Sequence, residues 1–366
     1  MELCLDRKEF LGVLDLAAEL TRSKSTGLFC GHALAETSDG QVRLTITDLE
    51  TTLITLCPAD VKKPGKCVLP VRQLRDALKT TSIEKIHLCG GAQHLQVVAG
   101  TSKFRLAVLS PEDYPQTSGK DETVLFDVDV GSLLRAFDAI EHALPPENGP
   151  YMPHLAGIAL VRKADAIQVA ATDAYRLALH QVELTPDAMG PEKVFVPSSM
   201  ATIIPKVLGA ASEAAIAIGE KRLVLSTPQT TLITQTIDGD VPEYEAILPD
   251  TEAVTVVVAK DQLYAALRRM AVVADETAYP RITLRVFGTT LALEAGSEER
   301  AWGMEKLEIP ETLNFSISVC LRFLTETVRA IRGTSVSLVW YDSELPLVLR
   351  DPDEPQFIAA IMPLRV

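Results

Sequence analysis

The segment ATDAYRLAL, residues 171–179, sets a Thr-Asp pair, a tyrosine and an arginine among apolar neighbours. Asp173 and Arg176 could serve as an acid and an electrostatic clamp. Catalysis through them would need a further base, nucleophile or metal at a recognisable spacing. The sequence offers none. It has no GxSxG elbow, no phosphate-binding Walker loop and no GxGxxG after a strand. The histidines (His32, His87, His94, His142, His154 and His180) are scattered, with no HxxxH or Cys/His pairing, so no metal or other cofactor is expected. The plainer reading of Asp173 is a turn residue whose carboxylate satisfies backbone N–H groups. Arg176, in an otherwise apolar strand, needs a partner, either Asp173 or a ligand.

These residues sit in a chain that repeats itself. QVRLTITDLETTLITL from Gln41 and AIQVAATDAYRLALHQVEL from Ala166 are both alternating strands that end in Thr-Asp and lead into a second strand. TLALEAGSEERAWGMEKLEI from Thr290 has the same strand-turn-strand pattern without the Thr-Asp. DRKEFLGVLDLAAEL, DVGSLLRAFDAIEHAL and AKDQLYAALRRMAVVAD each read as a strand followed by an amphipathic helix. PVRQLRDALKT, PSSMATIIPKVLGAA and SVCLRFLTETVRAIRG supply a second helix per repeat. The result is an α+β class: three repeated domains, 1–120, 121–250 and 251–366, each with two helices and antiparallel sheet. Polar stretches near SGKDET and LPDTEA mark the borders.

The net charge of -14 argues against a nucleic-acid binder when taken alone. The charge is unevenly placed, at +1, -11 and -4 over the three repeats. Arg72, Arg75 and Lys79 fall on one stripe of their helix, opposite Leu74, Ala77 and Leu78. Arg322, Arg329 and Arg332 form a similar stripe, interrupted by Glu326, while Arg135 and Lys206 oppose the apolar faces of the central repeat's helices. One such stripe is an ordinary solvated face. Recurrence in all three repeats points to a basic surface that meets phosphates without reading bases. No apolar run nears the roughly 20 residues of a membrane helix. The N-terminus MELCLDRKEF lacks a secretory pattern, and the six cysteines include no CxxC pair. A cytoplasmic protein with buried, reduced thiols is expected.

Three equal repeats, TDLE, ATDAYRLAL, VPEYEAILP and the terminal AAIMPLRV together resemble the bacterial DNA polymerase III beta subunit family, the sliding clamps. The resemblance covers the whole chain. It implies a dimer closed head to tail into a six-domain ring, with twelve helices lining a hole around duplex DNA, continuous sheet outside and no catalytic residues. It implies a pocket for short peptides formed by Leu155, Thr172, Ala174, Tyr175, Arg176, Leu177, Pro242, Ile247, Met362, Pro363, Leu364 and Arg365. Ala174–Tyr175 stands where Gly-His is common in the family. The partners implied are the DNA polymerase III alpha subunit, the clamp loader, repair polymerases, mismatch-repair proteins and a second copy of the chain. Lys24 matches a DNA-contacting loop position, and Met152–His154 replaces the family's paired tyrosines. Phe104 and Leu106 of one subunit would pack on Val272 and Val273 of the other. The alternative is a non-enzymatic peptide-binding scaffold that does not encircle DNA.

Overall fold

The structure, a computed structural model, describes residues 1–21, 29–115, 126–145, 157–163, 165–184, 193–209, 211–219, 221–237, 244–249, 252–297 and 299–365. Packing divides the chain into two compact units: Met1–Val130 with Leu184–Pro191 and Thr202–Ile237, and Gly131–Glu183 with Glu192–Ala201 and Asp238–Val366. The central third of the sequence therefore contributes to both.

In the first unit, helix α1 (Arg7–Leu20) starts where Asp6 accepts the Glu9 N–H at 3.0 Å, a local N-cap. Its Phe10, Leu14, Ala17 and Ala18 are buried. Helix α2 (Val71–Lys79) buries Val71, Leu74 and Leu78 and leaves its charged side outward. One sheet has the order Asp60–Lys63, Glu2–Asp6, Lys85–Gly90, His94–Ala99, Ser102–Ala107. A second joins Phe126–Val128, Ala214–Ile218, Arg222–Ser226, Thr230–Gln235, Thr51–Pro58, Gln41–Thr47, His32–Ser38 and Lys66–Pro70. Pairing of Thr230–Gln235 with Thr51–Pro58 carries this sheet across the border between repeats.

The second unit contains most of α3 (Val130–Ile140) and all of α5 (Lys260–Met270) and α6 (Leu321–Ala330), while α4 (Met200–Leu208) begins here and continues in the first unit. Its large sheet runs Lys193–Pro197, Gly157–Arg162, Ala166–Thr172, Arg176–Glu183, Glu354–Ile361, Leu347–Asp351, Ser335–Trp340, Val254–Ala259. The repeats meet again at a strand pair, Arg176 opposite Ile361. A long hairpin, Arg281–Ser297 with Ala301–Cys320, stands as a separate two-stranded sheet. All six cysteines are free, and burial pushes the Cys57 and Cys67 thiols up to about 11.

The Thr-Asp segments fold into the same turn twice. Asp48 Oδ1 accepts the N–H of Glu50 and Thr51 at 3.1 and 2.7 Å, and Asp173 Oδ1 accepts those of Tyr175 and Arg176 at 3.0 Å each. The Thr47 and Thr172 hydroxyls each bridge the turn, donating to the carbonyls of Thr51 and Arg176 at 3.0 and 2.7 Å. The next residue in each is forced left-handed, Leu49 at φ 81° and Ala174 at φ 72°, at a cost of about 1 kcal/mol for a residue with a Cβ. Asp173 is therefore a turn-former.

Candidate functional site

The turn at residues 172–176 opens the strand Arg176–Glu183, which pairs with Glu354–Ile361. Past Ile361 the chain keeps bonding: the Met362 N–H donates to the Tyr175 carbonyl and the Leu364 N–H to the Ser318 carbonyl, each at 2.8 Å. Arg281 donates to the Arg365 carbonyl at 3.2 Å. Residues 362–365 are thus a strap from the Thr-Asp turn to the end of the long hairpin. A small apolar recess is lined by Thr172, Leu177, Gly157, Phe195 and Tyr244. Ile247, half-buried, belongs to the same single-turn helix as Tyr244. Pro363, Leu364 and Arg365 line an open hollow of about 580 Å³ with Ser316, Ser318 and Glu344. Tyr175 and Met362, 41% and 39% exposed, are joined backbone to backbone. An apolar recess and a largely polar hollow together suit an extended peptide that carries both apolar and polar groups.

Of the residues expected here, Leu155 and Pro242 lie outside the described residues. Arg176 is buried and paired within the protein. Its side chain is only 7% exposed, its Nε donates to Asp173 Oδ2 at 3.1 Å, and its Nη1 donates to Glu326 Oε2. Its guanidinium also lies 4.2 Å from the centre of the Phe323 ring. Turn and α6 together supply carboxylate partners for the buried guanidinium, Asp173 among them. Sequence reasoning missed Tyr279 and Phe323, whose rings lie 5.0 and 6.5 Å from Tyr175. In a chain with 5% aromatic residues, Phe323 at the start of α6 was the available signal.

The basic residues differ in their surroundings. Arg322 and Arg329 are exposed on α6, opposite buried Leu324 and Val328, and Arg332 pairs with Asp138 at 3.3 Å. In the first unit Arg72 donates to the Thr21 carbonyl at 2.8 Å, and Arg75, Lys79 and Lys206 are exposed or half-exposed but paired with acids. Arg135 departs from the expected exposed face. It is 4% exposed, donates through Nε to both Glu354 oxygens at 2.8 and 2.9 Å, and caps the Ala330 carbonyl at 3.0 Å. A buried guanidinium requires such partners, and Glu354 is too far along the chain to be seen from the helix. The same Glu354 pairs with His180 Nε2 at 3.1 Å, yet burial keeps His180 below its ordinary pKa. His142, deeper still, is pushed down to about 3 by burial. Lys24 and Met152–His154 lie outside the described residues.

Phe104 and Leu106 are half-buried on Ser102–Ala107, the outermost strand of its sheet. Val272, just past α5, is 83% exposed. Val273 is packed at the hairpin, where a Cβ on Gly303 would come within 2.9 Å of its Cγ2. Among the described residues no helix could cross a membrane and no side-chain cluster could hold a metal.

Repeated two-helix, antiparallel-sheet domains of this kind define a clamp fold. Sequence models of the DNA polymerase III beta subunit match in order: its N-terminal domain at residues 1–118, its central domain at 128–243 and its C-terminal domain at 245–365. The chain belongs to the DNA polymerase III beta subunit family. It is 25% identical to the beta sliding clamp of Pseudomonas aeruginosa over 370 residues and 21% identical to that of Escherichia coli K12 over 372, with both chains fully covered. The crystal structure of the Pseudomonas aeruginosa DNA polymerase III subunit beta superposes with a TM-score of 0.90 at 25% identity, and that of the same organism's clamp bound to griselimycin with 0.92 at 25%, each over the full length of both chains.

Proposed function

We propose that two copies of this chain close into a ring around duplex DNA and tether the replicative polymerase, with no catalysis of their own, in the cytoplasm. The domains of the ring are residues 1–120, 121–250 and 251–366. The observation that carries this reading is the strap Met362–Arg365, tied to Tyr175 and Ser318 beside the apolar recess, in a chain matched end to end by beta-subunit domains. The strap and recess receive linear peptides of the polymerase alpha subunit, the clamp loader, repair polymerases and mismatch-repair proteins. Arg72, Arg75, Lys79, Lys206, Arg322 and Arg329 face the DNA. Met362→Ala tests the pocket. Its side chain is half free and only its backbone is bonded, so truncation should leave melting unchanged. Affinity for a fluorescent clamp-binding peptide should fall roughly tenfold, the scale of one interface anchor. An unchanged Kd would reject the pocket.

The ring joint pairs the edge strand carrying Phe104 and Leu106 with the Val272–Val273 corner of the partner. An unpaired strand edge flanked by apolar side chains is a natural pairing surface. Val272→Asp costs the single chain almost nothing, since the position is 83% exposed. In the joint it buries a carboxylate without a partner. Sedimentation at micromolar concentration should show wild-type dimer and mutant monomer. A mutant dimer as tight as wild type would refute this joint.

A further inference from the structure

The cations expected to face DNA are not equivalent. In the first unit an open groove of about 870 Å³ is floored by Val13, Leu16 and Leu56 and rimmed by charges from α1, α2 and α4. Lys79 Nζ lies 2.7 Å from Asp15 Oδ1, and Arg75 Nε lies 3.9 Å from the same oxygen. Arg75 also donates twice to Asp76, at 2.9 and 2.8 Å. Lys206 Nζ lies 3.0 Å from Glu19 Oε1. Asp15 and Glu19 stand four residues apart on α1, hence on one helix face. Three cations thus meet three carboxylates, and with Glu9 also lining the groove no net positive charge is left there. Arg72, bonded to the Thr21 carbonyl, and in the second unit Arg322 and Arg329 have no carboxylate partner among the described residues, and Arg322 rests 5.2 Å from the Phe323 ring centre.

We propose that Asp15 and Glu19 are masking residues that hold Lys79 and Lys206 in a neutralised state, so that the first unit gives duplex DNA a weakened contact and phosphates are met chiefly by Arg72, Arg322 and Arg329. This rests on the reading that these helix faces look onto encircled DNA. Lys79 and Lys206 are 48% and 45% exposed in their side chains, and exposed ion pairs are individually weak, on the order of 0–1 kcal/mol. A phosphate could displace either carboxylate, but it would then sit beside the displaced negative charge. The masks therefore lower the number of cations that exchange counterions for phosphates. That number sets how steeply binding falls with salt, about 0.9 in log–log slope per contact. For a ring held by enclosure, fewer such contacts mean lower friction along the duplex.

The test is the salt dependence of binding to a short linear duplex, between about 20 and 200 mM salt, where each contact is read in the slope. Asp15→Asn with Glu19→Gln should steepen the slope by about two contacts' worth, since Asp76 still holds Arg75, and slow one-dimensional diffusion of loaded rings. Adding Lys79→Gln and Lys206→Gln should cancel the gain. A charge-matched control, Glu36→Gln with Asp60→Asn, releases Lys66 and Lys62 elsewhere in the same unit and should leave the slope at its wild-type value. No steepening, or equal steepening in the control, would overturn masking. Sedimentation and melting confirm that each variant remains a folded dimer. Persistence of wild-type rings on closed circles is scored separately, so loss of enclosure and loss of masking give different results.

Discussion

Arg176→Ala should cost the second unit about 3 kcal/mol or more, the scale seen when one member of a buried ion pair is removed. The guanidinium is 7% exposed and binds Asp173, whose side chain is 8% exposed. Deleting it leaves that carboxylate buried without its cation. The loss of the contact with the Phe323 ring adds roughly 1 kcal/mol. Glu326 is 40% exposed and recovers water, which keeps the total near the lower end of the 3–5 kcal/mol range. Glu326→Gln should accordingly cost far less, about 1 kcal/mol. The loss is centred on one strand, so hydrogen exchange along Arg176–Glu183 is the direct readout. Protection that is unchanged in Arg176→Ala would place the guanidinium on the pocket rim after all. The expected loss also means that weakened peptide binding in an Arg176 variant reports a damaged turn, whereas Met362→Ala reports the pocket.

How far the sequence discloses the molecule depends on the range of the interaction involved. The helices were legible because apolar spacing is a local signal, the one that buries Leu74 and Leu78 together. The Thr-Asp turns were legible for the same reason, since all their hydrogen bonds close within four residues. Arg135 was misplaced because its partner lies 219 positions away, and a helix wheel cannot distinguish a solvated cation from one buried against a remote carboxylate. Arg176 was half legible: Asp173 is three residues off, but Glu326 is 150 away. The join between repeats was hidden too. Thr230–Gln235 and Thr51–Pro58 carry only alternation, which marks a strand without naming its neighbour. Within the pocket, the strap was suggested by the resemblance, while Tyr279 and Phe323 came together only through the register of the hairpin and α6.

A loaded ring should stay on closed circular DNA through a moderate-salt wash and leave once the circle is cut. Direct binding is a poor explanation for any such hold. The chain carries a net charge of -14, so bare duplex is repelled at long range. Near the helices, Arg75, Lys79 and Lys206 are engaged by acids, and Arg135 is buried against Glu354. The few cations left supply few phosphate contacts, each weakening with salt at about 0.9 in log–log slope. Binding to free linear duplex should therefore be poor at physiological salt. Enclosure needs no strong contact, because a closed dimer cannot leave a closed circle without opening a joint, and sparse basic groups let it slide. With an ATP-driven loader placing the ring, gel filtration should recover protein with intact circles. After a single restriction cut it should elute free, within the time sliding takes to reach an end. Val272→Asp, with its joint broken, should fail to persist even on uncut circles. Equal retention on circular and linearised DNA would mean a direct binding site, and the ring reading would fall.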